Sequence, residues 1–425
     1  MYAGKTISFR KLLPILVIGL TGCLDTAQTE DSRATASNCD SQGRSGEKNP
    51  HCQQPTPTPK PVEPSWQTVD DVSSYSAGAS ARGIVKDLAG NLFVSGFGTD
   101  DFSHWLVRTN KTGTWQTADD FIYSSGMNSP SFGMGMDLQG NLYSFGGTAT
   151  GSGPSERWLT RKSVDGVQWT TIDDFQFSNY SVAKDFATSP SGDIFVVGSG
   201  FSGGTQHWLV RKSSDHGITW TIVDDFVYAT GQPSYASKVK VDNSGNIYVV
   251  GYGQITSSSD FHWIVRKSVN SGSTWSTVDD FQMISGEQSY PFAIEVDGSG
   301  NVYIAGEGFD GASPHWIVRK SIDLGSTWST IDNYQYESRL AYANSLAINQ
   351  LGVIYVAGVG YDGSAYHWLT RQSTDGGTSW TNIDDVYGAR ANSVGIDFDG
   401  HPVVAGETDL NNGSPSHWLV RKYIQ

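Results

Sequence analysis

A unit of about fifty residues is written into this chain seven times, and that repetition limits what the chain can fold into more than any other feature. The copy His262–Asp280 (HWIVRKSVNSGSTWSTVDD) is representative, and close copies begin at His104, Arg157, His207, His315, His367 and His417. All fourteen tryptophans belong to it. Seven follow the leading His or Arg (Trp105, Trp158, Trp208, Trp263, Trp316, Trp368, Trp418), at spacings of 53, 50, 55, 53, 52 and 50 residues. The other seven, from Trp66 to Trp380, each stand four residues before an Asp. A fixed period of this size marks a repeat architecture whose units bury their apolar faces against one another.

Within the copy that begins at Ser234, Tyr235–Asp242 and Asn246–Tyr252 read as strands around an Asn-Ser-Gly turn, followed by strands His262–Ser268 and Trp275–Phe281. Four short antiparallel strands per unit make a blade, so the fold class is all-β: a seven-bladed β-propeller of four-stranded antiparallel blades. The first copy contains only an outermost strand, at Trp66, and the last stops at Lys422, where an outermost strand is due. The N-terminal strand is therefore expected to complete the last blade and close the ring. The 49 glycines and 12% aromatic content suit such a turn-rich sheet protein. A formal charge of −15 disfavours nucleic acid, which needs basic stripes.

Residues 1–22 read as a signal segment: Lys5, Arg10 and Lys11 precede an apolar run, Leu12–Leu20, too short to cross a bilayer. Residues 23–64 read as a tether, proline-dense from Gln54 to Pro64, and residues 65–425 as the propeller. Cys39 and Cys52 stand in the tether and are expected to pair in an oxidising compartment.

Two resemblances sharpen this reading. Leu20-Thr21-Gly22-Cys23 resembles the lipobox of bacterial lipoproteins, which implies lipidation of Cys23, a membrane anchor, and a place at the cell envelope, on the outer membrane or cell surface rather than the inner membrane. The turns Ser213–Trp220, Ser321–Trp328 and Ser373–Trp380 match S-x-D-x-G-x-[TS]-W, and Asn270 replaces the Asp in Ser268–Trp275. This pattern resembles the Asp box (BNR repeat) of sialidase-type propellers, and the resemblance implies fold rather than activity.

Residues found in every blade serve the blade; residues found once are candidates for function. The Arg of HW[LI][VT]R recurs seven times and is expected to pair structurally. The pairs His104–Trp105, His207–Trp208, His262–Trp263, His315–Trp316, His367–Trp368 and His417–Trp418 are expected to form cross-strand His–Asp bonds, or else a ring of shallow glycan sites with Trp as platform. Such a set is too thin for a metal. Asp185 with Lys238, and Lys240 with Glu295, are expected to pair between blades near the axis. The one-off Arg82, Arg339 and Arg390, with Glu337, Tyr342 and Tyr387 in the same loops, form a candidate anion or ligand site on the face away from the Asp boxes.

No residue is assigned a catalytic role, and the reading calls for no cofactor and no metal. It expects a monomeric, lipid-anchored binding or adhesion module whose partner is a glycan or an envelope protein. A sialidase-like glycoside hydrolase and a scaffold of an envelope complex are the alternatives.

Overall fold

The structure, a computed structural model, describes residues 64–149, 156–256, 260–409 and 413–424. The signal segment, Cys23, Cys39 and Cys52 lie outside the described residues. The chain forms seven four-stranded antiparallel blades. Blade 1 holds Gly78–Lys86, Leu92–Thr99, Ser103–Thr109 and Gln116–Phe121. Blade 4 holds Ser234–Val241, Ile247–Gln254, Phe261–Ser268 and Ser276–Phe281, each within two residues of the strand expected from sequence. A single bridge from Tyr180 to Glu156 joins blade 3 to blade 2.

Ser65–Val72 pairs antiparallel with Trp418–Ile424 and so supplies the fourth strand of blade 7. Each inner strand packs against those of its two neighbours, and Gly78–Lys86 of blade 1 packs against Ala389–Ile396 of blade 7, so the succession returns to its start. No helix among the described residues is long and apolar enough to cross a membrane.

The repeated residues explain how the blades hold together. The seven tryptophans that follow His or Arg are fully buried, and each ring lies against a glycine of the following blade. A Cβ placed at Gly306 would stand 2.0 Å from the Tyr290 carbonyl oxygen and 2.8 Å from Trp263, so glycine is required there to let both the paired strand and the ring in. The paired acids on the outer strand divide their labour. The first binds the repeated Arg of the next blade, as Arg266 binds Asp224 through Nε at 2.8 Å and Nη2 at 2.9 Å. The second accepts from its own blade's histidine, as Asp280 does from His262 at 2.6 Å. The aromatic residue after the acids also caps the guanidinium: Arg266 lies 3.9 Å from the Phe226 ring centroid. Arg266→Ala would leave Asp224 buried without its partner, at a cost of about 3–5 kcal/mol read as a lowered denaturation midpoint.

The turns between third and fourth strands close on their own acids. Asp215 accepts the amide of Thr219 at 2.8 Å and its hydroxyl at 2.5 Å, and these bonds hold its carboxyl at about 2. Asp323 is held at about 2 by the matching bonds from Thr327. A carboxyl depressed in the folded state adds stability above its unfolded value of about 4, and that contribution is lost as pH falls through about 2. Asp323→Asn, the residue type that already stands at Asn270, should therefore flatten the acid limb of stability against pH in denaturant titrations.

Candidate functional site

Every inner strand carries one β-bulge at the same place. In blade 1 the register shifts between Ala81 and Gly83, in blade 3 between Ala183 and Asp185, and in blade 7 between Ala391 and Ser393. The other four blades repeat the shift. A bulge leaves one residue outside the ladder and re-aims its side chain. The seven residues left out are Arg82, Phe132, Lys184, Ser237, Phe292, Asn344 and Asn392, and all seven line one axial cavity of about 460 Å³. The cavity stands at the ends of the inner strands where the chain crosses between blades, so it belongs to the loop face.

Around this ring the wall is divided by chemistry. Arg82, Lys184, Lys238 and Arg390 contribute four cations, and Glu407 is the one carboxylate among the described lining residues. Arg82 Nη2 stands 3.6 Å from Glu407, while its buried Nε has no partner. Arg390 donates from Nε to Asp409 at 2.6 Å, lies 3.7 Å from the Tyr366 ring centroid, and turns Nη1 toward the Tyr342 hydroxyl at 3.4 Å. The Lys184 ammonium stands 4.0 Å from the Phe132 ring centroid. Burial pushes it down to about 8; Glu156 opposes that shift, and Lys238 and Arg82 add to it.

Aromatic residues make the other half. Tyr235 stacks on Tyr252 with centroids 4.9 Å apart, and Tyr290 meets Tyr252 edge-on at 4.8 Å. Burial raises Tyr342 to about 12, so it remains a phenol at neutral pH. Below this ring a second cavity of about 550 Å³ continues along the axis. There the two expected pairs between blades are present, Lys238 with Asp185 at 3.4 Å and Lys240 with Glu295 at 2.7 Å.

Of the residues singled out from sequence, Arg82, Arg390 and Tyr342 come together in the cavity. Arg339 does not: it is exposed, and its guanidinium lies against Gly363 in a loop of its own blade. Glu337 stands in the same tight turn at φ 49°, and Tyr387 is 61% exposed with its ring edge against His367. The histidines bond across strands: His104 to Asp120, His207 to Asp225, His262 to Asp280, His367 to Asp385 and His417 to Asp71, while His315 finds Asn333. Their tryptophan neighbours are wholly buried and leave no face on which a sugar could stack.

Sequence reasoning missed Lys184, the tyrosine pair and the bulge column. The signal was there: immediately after an inward Ala, Ser or Pro, the aligned blades read Arg, Phe, Lys, Ser, Phe, Asn, Asn. That column varies widely beside one held to Ala, Ser or Pro.

No family model matches the chain, and no curated protein matches it by sequence. Solved structures do. A polysaccharide lyase described as a new family, PL25 ulvan lyase, is 16% identical with a TM-score of 0.55, over 82% of this chain and 95% of that one. The same lyase bound to -[GlcA(1-4)Rha3S]- gives a TM-score of 0.54 at 16% identity, over the same shares. A GH74 enzyme of Niastella koreensis is 17% identical with a TM-score of 0.53, over 82% of this chain and 55% of that one.

At such identities the likeness establishes the propeller fold. The PL25 lyase and the GH74 enzyme that share this fold are carbohydrate-active, and on that finding the expectation of a binding or adhesion module is withdrawn.

Proposed function

We propose that the chain is a glycan-processing enzyme that cleaves an acidic polysaccharide by β-elimination in the bulge-lined cavity. The observation that carries this is the ring itself: seven bulges aim one residue each at a single space whose described lining holds four cations and one carboxylate, with Asp409 and Asp185 pairing to Arg390 and Lys238 from beyond that lining. The ulvan lyase of the same fold is solved bound to -[GlcA(1-4)Rha3S]-, which carries a carboxylate and a sulfate. That ligand suits a cationic pocket.

Hydrolysis by the usual route needs two carboxylates facing the scissile bond, and the described lining holds only Glu407, opposite Arg82. Elimination needs a cation on the uronate carboxylate, a base for the C5 proton and an acid for the leaving oxygen. Arg82 and Arg390 take the carboxylate and acidify C5–H. Lys184, neutral above about pH 8, accepts the C5 proton. The released electron pair forms the C4–C5 double bond as the C4–O bond breaks, and the Tyr342 phenol protonates the departing oxygen. Tyr235 and Tyr252 give the sugar ring an apolar wall.

A panel of uronate polysaccharides followed by the ultraviolet absorbance of the unsaturated product tests the reading. New reducing ends without that absorbance would indicate hydrolysis, and no cleavage across the panel would sink the enzyme reading altogether.

The same proposal sets the enzyme among Asp-box propellers, on the strength of its Ser-x-Asp turns, and holds it as a monomer at the cell envelope by lipidated Cys23, with Cys39 paired to Cys52 in the tether. Cys23→Ser should abolish acylation and release the protein from membrane fractions; retention that only detergent breaks would count against that anchor.

A further inference from the structure

The face opposite the cavity is built from the hairpin turns between first and second strands and between third and fourth strands. Turns are normally polar, yet every blade presents a large apolar side chain here. Leu88, Ile218, Leu351 and Phe398 serve blades 1, 3, 6 and 7, and Val164, Val269 and Ile322 serve blades 2, 4 and 5, each between 68% and 88% exposed. Around the seam each tip reaches the turn of the next blade: Phe398 lies over Gly90 of blade 1, and Leu88 over Gly140 of blade 2.

The lysines of the same face are tied down to its main chain, while its carboxylates brace the turns and stay at the surface. Lys162, Lys267 and Lys320 donate to main-chain carbonyls of the neighbouring turns, while Asp215, Asp323 and Asp375 accept the amides of their own. Asp165, Asp323, Asp375 and Asp399 are exposed beside the apolar tips.

The chain also joins the domain on this side. Ser65 pairs with Ile424 at the hairpin end of blade 7, and the strand runs from there to Val72 at the loop end. The described chain therefore enters the domain, after Cys23 in sequence, at the face that carries the tips.

We propose that this face docks on a lipid bilayer, its apolar tips entering the interface while the cavity opens away from the membrane. The inference rests on the anchoring proposed above only for how the domain reaches the bilayer. Single side chains on separate turns suit shallow insertion among lipids, and a net charge of −15 favours a zwitterionic surface over an anionic one.

The test uses the mature protein carrying Cys23→Ser, with phosphatidylcholine vesicles, in two versions: tips intact, and Leu88, Ile218, Ile322, Leu351 and Phe398 all changed to Ser. The intact version should co-sediment roughly 10-fold or more strongly. Equal partitioning of the two versions, binding that requires anionic lipid, or a tip-dependent dimer in the absence of vesicles would each overturn the proposal. Neither version carries an acyl chain, so the result stands apart from lipidation of the wild type, which the mass of its Cys23 peptide reports.

Discussion

Replacing Lys184 with Ala should lower cleavage of an acidic polysaccharide by roughly 10²–10⁴-fold while the circular dichroism of the sheet stays unchanged. The residue sits outside the ladder of its strand, between Ala183 and Asp185, so its loss breaks no strand pairing. A pH profile separates a base from a mere charge. Burial holds the ammonium at about 8, so the neutral amine that accepts a proton accumulates as pH rises through that value. The wild-type rate should climb toward a plateau above about pH 8, and Lys184→Arg, always charged, should lose both the rate and the rising limb. A Lys184→Ala protein that keeps its activity would move the base elsewhere in the ring.

The largest effect on stability should come from deleting Ser65–Asp71. That stretch is the outer strand of blade 7, and it also joins blade 7 to blade 1: Asp70 accepts Arg108 through Nε and Nη2 at 2.6 Å each. Asp71 takes His417 at 3.2 Å, and Trp66 donates to the Ile383 carbonyl at 2.6 Å. Loss of Asp70 alone strands a half-buried guanidinium, about 3–5 kcal/mol by comparison with other broken buried pairs. Loss of the strand adds an open sheet edge beside it. The truncated protein should melt far below the intact one and associate through the exposed edge. A truncated protein that melts with the wild type and stays monomeric would show that the seam is held by other contacts.

The fold was legible because its instructions are repeated. Trp263 and Gly306, Arg266 and Asp224, His262 and Asp280 belong to columns that recur around the chain, and repetition turns a weak local signal into a strong one. The cavity was only half legible for the same reason. Arg82 and Arg390 were visible as charges without a counterpart in other blades. Lys184 was not, because it precedes Asp185 in a strand whose alternation hides which way each side chain points. The bulge decides that direction, and a bulge is a property of two strands in register rather than of one strand's composition. Arg339 misled in the opposite sense: it is equally unrepeated, but the left-handed residues Glu337 and Ser338 turn it back on its own blade.

The bulges have a consequence for how such a protein can change. At each seam the Arg–Asp grip and the Trp–Gly contact bear the load, and none of the seven ring residues takes part in them. Pocket chemistry is thus spelled in Arg82, Phe132, Lys184, Ser237, Phe292, Asn344 and Asn392; Asn344 and Asn392 also donate across seams to the Ala391 and Ala81 carbonyls, and the other five can be rewritten one at a time with little penalty to the frame. A library varied at those five alone would present cationic, aromatic or amide-lined pockets on one scaffold, and its members should share a melting temperature while differing in what they hold.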